Sequence, residues 1–179
     1  MPNTGNKKAA ARKRDAFLLG AAALAVVILA VVLLNMPGIP ANQPAGSAAR
    51  TGSAKQARDG DLVIQIKDIS ETAAFYPAQV DGVKMEVLAV KAPDGTIRTA
   101  FNTCQVCYDS GRGYYVQEGS VLVCQNCGNR FRTSDVEKIK GGCNPVPILT
   151  EDKIVEENTI TVPAEFLQKA KALFAGWKR

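Results

Sequence analysis

The rhythm of apolar and polar positions changes several times along the chain. Ala16–Leu34, AFLLGAAALAVVILAVVLL, is 19 consecutive residues without a charge or a strong polar group. At 1.5 Å per residue a helix of that length reaches about 29 Å, close to the hydrocarbon thickness of a bilayer. A transmembrane helix is therefore predicted over residues 16–36. The stretch is longer than the roughly 7 to 15 apolar residues of a signal peptide, and the Ala-rich context at Gly46–Ala49 lies well beyond it. Both points favour an uncleaved single-pass anchor. Pro37–Gly60, PGIPANQPAGSAARTGSAKQARDG, has almost no large apolar residue and reads as a flexible linker.

Residues 61–179 carry shorter, β-like patterns. Leu62–Ile66 (LVIQI) and Val83–Val90 (VKMEVLAV) are β-branched, partly alternating runs that predict strands. Asp81-Gly82 and Asp94-Gly95 flank the longer run and predict hairpin turns, since Gly takes positive φ without steric cost. They join it to AFYPAQ on one side and to Thr96–Phe101 on the other. Tyr114–Gln117 and Val121–Cys124, around Glu118-Gly119-Ser120, predict a third hairpin. Ser134 and Glu137 have capping-box spacing and predict a short helix. Thr159–Val162 predicts a strand, and Pro163 a helix start. Phe166, Ala170, Leu173, Phe174 and Trp177 then recur at helical spacing and read as a packing face. The expected fold class is mainly β (α+β): an N-terminal transmembrane helix and a small β-rich ectodomain with a C-terminal helix.

Charge sharpens the membrane reading. The net charge is +5, of which residues 1–15 supply +4 through Lys7, Lys8, Arg12, Lys13 and Arg14 against Asp15. A basic cluster before the apolar run, with none just after it, predicts a cytoplasmic tail at 1–15 and an exported C-terminal part. From Pro37 onward 17 basic residues face 16 acidic ones, so nucleic acid is not an expected partner. The chain has no histidine, and no Ser-His-Asp set or phosphate loop, so an enzyme acting on a small substrate is the least supported class.

The distinctive chemistry is sulfur. All five cysteines, Cys104, Cys107, Cys124, Cys127 and Cys143, fall within forty residues. Two Cys-x-x-Cys pairs stand 16 residues apart at the ends of the predicted third hairpin, a spacing that suits a zinc-ribbon-like tetrathiolate site. Four thiolates at about 2.3 Å satisfy tetrahedral Zn(II), and the same set suits mononuclear iron or an iron–sulfur cluster. Two local disulfides and a redox-active dithiol are the alternatives. Attachment of a c-type haem is excluded, because Tyr108 and Gly128 stand where His would be needed. Gly128 fits a tight metal knuckle, whereas Tyr108 predicts a looser first turn. Cys143, in KGGCNPVP, is the fifth sulfur for four positions: a buried inert thiol, an additional ligand, or a redox thiol beside the centre.

The run DGVKMEVLAVKAPDGTIRTAFNTCQVCYDSGRGYYVQEGSVLVCQNCGNRF, with GGCNPVP after it, resembles the FtrD-like family of membrane iron-sulfur-containing proteins over roughly Asp61–Phe174. The resemblance implies a cysteine-rich metal-binding ectodomain over 61–179, held at the bacterial cell (inner) membrane and facing away from the cytoplasm. It implies an iron–sulfur cluster or mononuclear iron, with Zn(II) as the alternative, on Cys104, Cys107, Cys124 and Cys127, and extends the family's cysteine set to Cys143. The implied task is electron transfer or metal handling beside an iron-import permease or redox partner. Larger members carry many membrane helices. A chain with one predicted span cannot itself form a transport path.

Overall fold

A computed structural model of the protein describes residues 50–52, 54–56 and 60–179. The predicted basic tail, the transmembrane helix at 16–36 and most of the linker lie outside them. Among the described residues no helix is long and apolar enough to cross a membrane.

In chain order the strands are β1 (Arg50–Thr51), β2 (Ala54–Gln56), β3 (Leu62–Gln65), β4 (Ala74–Val80), β5 (Val83–Lys91) and β6 (Ile97–Cys104). They continue as β7 (Tyr115–Glu118), β8 (Val121–Cys124), β9 (Arg130–Arg132), β10 (Pro145–Pro147), β11 (Ile154–Val155) and β12 (Thr159–Val162), before helix α1 (Ala164–Ala170). Three sheets result, ordered β1-β4-β5-β6-β10, β11-β12-β3-β2 and β7-β8-β9. The fold is mainly β with a short C-terminal helix. β1 and β2 fall in the stretch read as linker. Pairing with a sheet edge uses main-chain groups and needs no apolar side chain. Gly52 between them donates its amide to the Phe75 carbonyl at 2.9 Å and lies against the Tyr76 ring, where any Cβ would overlap it.

The five-stranded sheet packs on both faces, so β6 is buried along almost its whole length although Arg98, Thr99, Asn102 and Thr103 interrupt its apolar residues. Tyr76, Met85, Val87 and Phe101 point into one core with Leu62, Ile64, Ile160, Val162, Leu167 and Phe174. Phe75, Leu88, Val90, Ala100 and Cys104 point into a second with Tyr115, Leu122, Cys124 and Phe131 of the three-stranded sheet. The predicted C-terminal stripe packs as expected, although the helix tightens into a 3-10 turn at Lys171–Phe174. Phe101 meets Phe166 and Phe174 at ring-centroid distances of 5.6 and 5.8 Å, and Phe174 meets Trp177 at 5.5 Å.

The Asp81-Gly82 turn forms as predicted, with Val80 opposite Val83 and φ of 48° and 80° at the two turn residues. At Asp94-Gly95 the loop is longer than two residues, because Pro93 cannot donate to the ladder. Ala92 and Thr96 close it instead, with Gly95 at φ 81°. The capping box at Ser134 does not form. Thr133–Asp135 makes a 3-10 turn, Glu137 takes φ 67°, and its carboxylate leaves the turn for Thr99. A buried partner outcompetes a local cap exposed to water.

Candidate metal centre

β6 ends on Cys104, a fully buried residue of the second core. The chain then turns so that the Cys107 amide points at the Cys104 sulfur, 3.4 Å away. As Tyr108 foretold, this first turn is loose: it runs into a 3-10 turn at Tyr108–Ser110 and leaves it through Gly111 at φ 74°. Its return is held by Gly113, whose carbonyl accepts from the Cys104 amide at 2.6 Å. A Cβ on Gly113 would overlap the Cys107 peptide group.

The second pair sits on a tighter knuckle between β8 and β9. The Cys124 amide donates to the Asn129 carbonyl and the Gly128 amide to the Cys124 carbonyl, each at 2.9 Å, with Gly128 at φ 73°. Cys124 is buried, whereas Cys127 is exposed.

Cys143 arrives on the arm between β9 and β10. Gly141 and Gly142 there have φ of 83° and 70°, with open space where a Cβ would stand. They serve the backbone angle and not a close approach of the chain to a neighbour. Gln105, inside the first Cys-x-x-Cys, stitches the arm down. Its amide donates to the Asn144 carbonyl at 3.0 Å, its side chain donates to the Pro145 carbonyl at 3.1 Å, and its Oε1 accepts from the Gly141 amide at 3.0 Å. The Cys143 carbonyl accepts from the Tyr115 hydroxyl at 2.9 Å and from Asn129 Nδ2 at 2.7 Å.

Five sulfurs therefore converge. The sulfurs of Cys104, Cys107, Cys124 and Cys143 all lie within 4.8 Å of one another. Cys143 Sγ is 3.1 Å from that of Cys104, 3.7 Å from Cys107 and 2.7 Å from Cys127. All five are free thiols, so neither Cys-x-x-Cys pair is bridged. Sulfurs at about 2.3 Å from one ion stand roughly 3.8 Å apart at tetrahedral corners. The spacings need only small side-chain adjustments to meet that requirement, and an all-sulfur donor set suits zinc, iron or an iron–sulfur cluster.

Electrostatics also favour a cation. Burial pushes the Cys124 thiol up to about 11. Hydrogen bonds from Cys143 and from the Asn129 amide bring Cys127 down to about 7. At Cys104, burial acts upward but yields to the polar groups turned toward the sulfur, the Val106 and Cys107 amides among them, which hold the thiol below its ordinary value. Thiolates this close repel one another, so full ionisation needs a bound positive charge, and metal binding releases the protons.

Gln105, Gly113, Tyr115 and Asn129 position the site, yet their types carry no ligand signal. Of these, Tyr115 stood in the sequence only as part of the predicted third hairpin. No curated protein and no solved structure matches the chain. The family model described as membrane iron-sulfur containing protein FtrD-like matches residues 55–174. With that match spanning the fold and all five converging thiols, the chain belongs to the FtrD-like family of membrane iron-sulfur-containing proteins.

Proposed function

We propose that the protein is a single-pass, membrane-anchored carrier of a thiolate-held iron or iron–sulfur centre. It works on the extracytoplasmic side of the bacterial cell membrane and exchanges electrons or metal with an iron-import permease or its redox partner. The observation that carries this reading is the gathering of five free thiols where the buried second core meets the surface. In it Cys104, Cys107 and Cys124 are the inner ligands; the sequence spacing nominates Cys127 as the fourth, whereas the sulfur that lies within 4.8 Å of all three is that of Cys143.

An iron centre bound there would supply one-electron chemistry, its potential tuned by hydrogen bonds to sulfur and by exposure. The chain's own residues do the rest. The Cys107 amide points at the Cys104 sulfur. Tyr115, Leu122 and Phe131 keep water from the inner side, while Cys127 and Val106, the latter 60% exposed, leave the outer edge open to a partner. Iron and sulfide analysis, absorbance and EPR of the full chain purified without oxygen test the reading. A colourless protein with one zinc per chain would remove it.

A structural zinc-ribbon-like module is the second reading, favoured by the tight knuckle around Gly128. In that case removal of zinc collapses the β7-β8-β9 sheet, because structural zinc supplies folding free energy.

A further inference from the structure

Five sulfurs face a centre with four positions, and the surplus is not distributed at random. Cys104, Cys107 and Cys124 are buried, Cys143 is half-buried and Cys127 is exposed. A reagent arriving from solvent meets Cys127 first. The shortest sulfur–sulfur contact joins Cys127 to Cys143, at 2.7 Å against 3.1 Å for Cys104 to Cys143. The two are also held together through the backbone. Asn129, two residues beyond Cys127, donates its side-chain amide to the Cys143 carbonyl, and the Tyr115 hydroxyl donates to the same oxygen. Gly141 and Gly142, each with open space where a Cβ would stand, sit immediately before Cys143.

We infer that Cys127 and Cys143 form a thiol–disulfide exchange pair which reduces an external disulfide and, on closing, dismantles the metal site. The Cys127 thiolate attacks one sulfur of the incoming disulfide, making a mixed disulfide and expelling the first thiolate. The Cys143 thiolate then attacks the Cys127 sulfur, forming the Cys127–Cys143 bond and expelling the second. Two thiols of the protein are oxidised, one external disulfide is reduced to two thiols, and the two protons pass to the departing thiolates or to water. Closure takes two sulfurs from five. Cys104, Cys107 and Cys124 remain, one fewer than a tetrahedral thiolate site needs. The pair is thus a redox control on the same centre. Its consequence for metal rests on the proposed centre, whereas the exchange chemistry does not.

The test uses the full chain, reduced and stripped of metal, titrated with oxidised glutathione, quenched with acid, alkylated and mapped by peptide mass spectrometry. The expected first product is a peptide pair linked Cys127 to Cys143. Cys143→Ser should instead trap one glutathione on Cys127. Cys127→Ser should consume oxidant at least about tenfold more slowly, since the remaining thiols are shielded. Bridges within Cys104/Cys107 or Cys124/Cys127 as first products, glutathione trapped elsewhere than Cys127, or no oxidation at all would each overturn the inference. Metal uptake, measured in parallel, should be lost in the bridged chain and return on reduction. A reduced chain that binds no metal but bridges Cys127 to Cys143 keeps the exchange pair and removes the proposed centre. A chain that binds metal but bridges elsewhere does the opposite.

Discussion

Glu137 and Lys153 form an ion pair at 2.5 Å with side chains only 14% and 5% exposed. The carboxylate also accepts from the Thr99 amide at 2.5 Å and its hydroxyl at 2.8 Å, and Lys153 reaches Thr99 Oγ1 at 2.9 Å and the Ile148 carbonyl at 3.4 Å. The network ties the start of the arm that carries Cys143, and the segment after β10, to strand β6 five residues before Cys104. Removing one charge strands the other below the surface, which typically costs about 3–5 kcal/mol. Glu137→Gln leaves an amide oxygen for Thr99 but no counter-charge for Lys153, so it should lie in that range. For a domain of this size the cost corresponds to a fall in melting temperature of roughly 10–20 °C. Lys153→Met should cost less, about 2–4 kcal/mol, because Thr99 still solvates the carboxylate. The double variant should be more stable than the sum of the two predicts, by about 2–3 kcal/mol of coupling. Thermal unfolding followed by near-UV circular dichroism measures all three. Single variants within about 1 kcal/mol of the parent, or a strictly additive double variant, would refute the idea that a desolvated pair holds the arm.

Gly113→Ala should lower metal stoichiometry while leaving the far-ultraviolet spectrum unchanged, because the new methyl overlaps the Cys107 peptide and displaces the first turn alone. Phe174→Ala should do the reverse: about 3–5 kcal/mol of stability lost from the core opposite the thiols, read in urea, with metal binding kept at low temperature. Asp94 is held well below the usual carboxylate range, chiefly by the Thr96 hydroxyl and amide, with Lys138 and Arg98 adding to it. A lowered folded value means that its contribution is complete above the unfolded value, near pH 4, and is lost as pH falls through the folded one. The gap in melting temperature between the parent and Asp94→Asn should therefore be constant near neutrality and close below about pH 4.

The strands legible in the sequence were those whose patterning is local. β5 and β12 announce themselves by β-branched runs, and the turn at Asp81-Gly82 by its chemistry. The cysteine spacing likewise marked sulfurs that the fold brings together. What stayed hidden depends on partners distant in the chain. Glu137 looks like a capping residue until Thr99 and Lys153, 38 and 16 positions away, claim its carboxylate. β1 and β2 are read as linker because their pairing uses backbone alone. Gln105 and Asn129 bring Cys143 to the thiols through main-chain atoms, and a carbonyl acceptor leaves no trace in residue type. For the same reason Cys143 could be named from the sequence but not placed.

The three segments that deliver sulfur differ in how firmly the fold holds them. Cys104 is the last residue of a strand packed on both faces, so its position is set by two cores at once. Cys124 ends a strand of the small sheet, buried on one side, and Cys127 hangs from its exposed turn. Cys143 rides on an arm tied by an ion pair at one end, by β10 at the other, and by hydrogen bonds from Gln105, Tyr115 and Asn129 between them. A bound ion would join the rigid strand to the two looser segments, and would repay the cost of ionising clustered thiols. Stability would then pass from the core outward through the metal. Cys127 and Cys143 are the two sulfurs nearest solvent, and so the two that a reagent from outside reaches first.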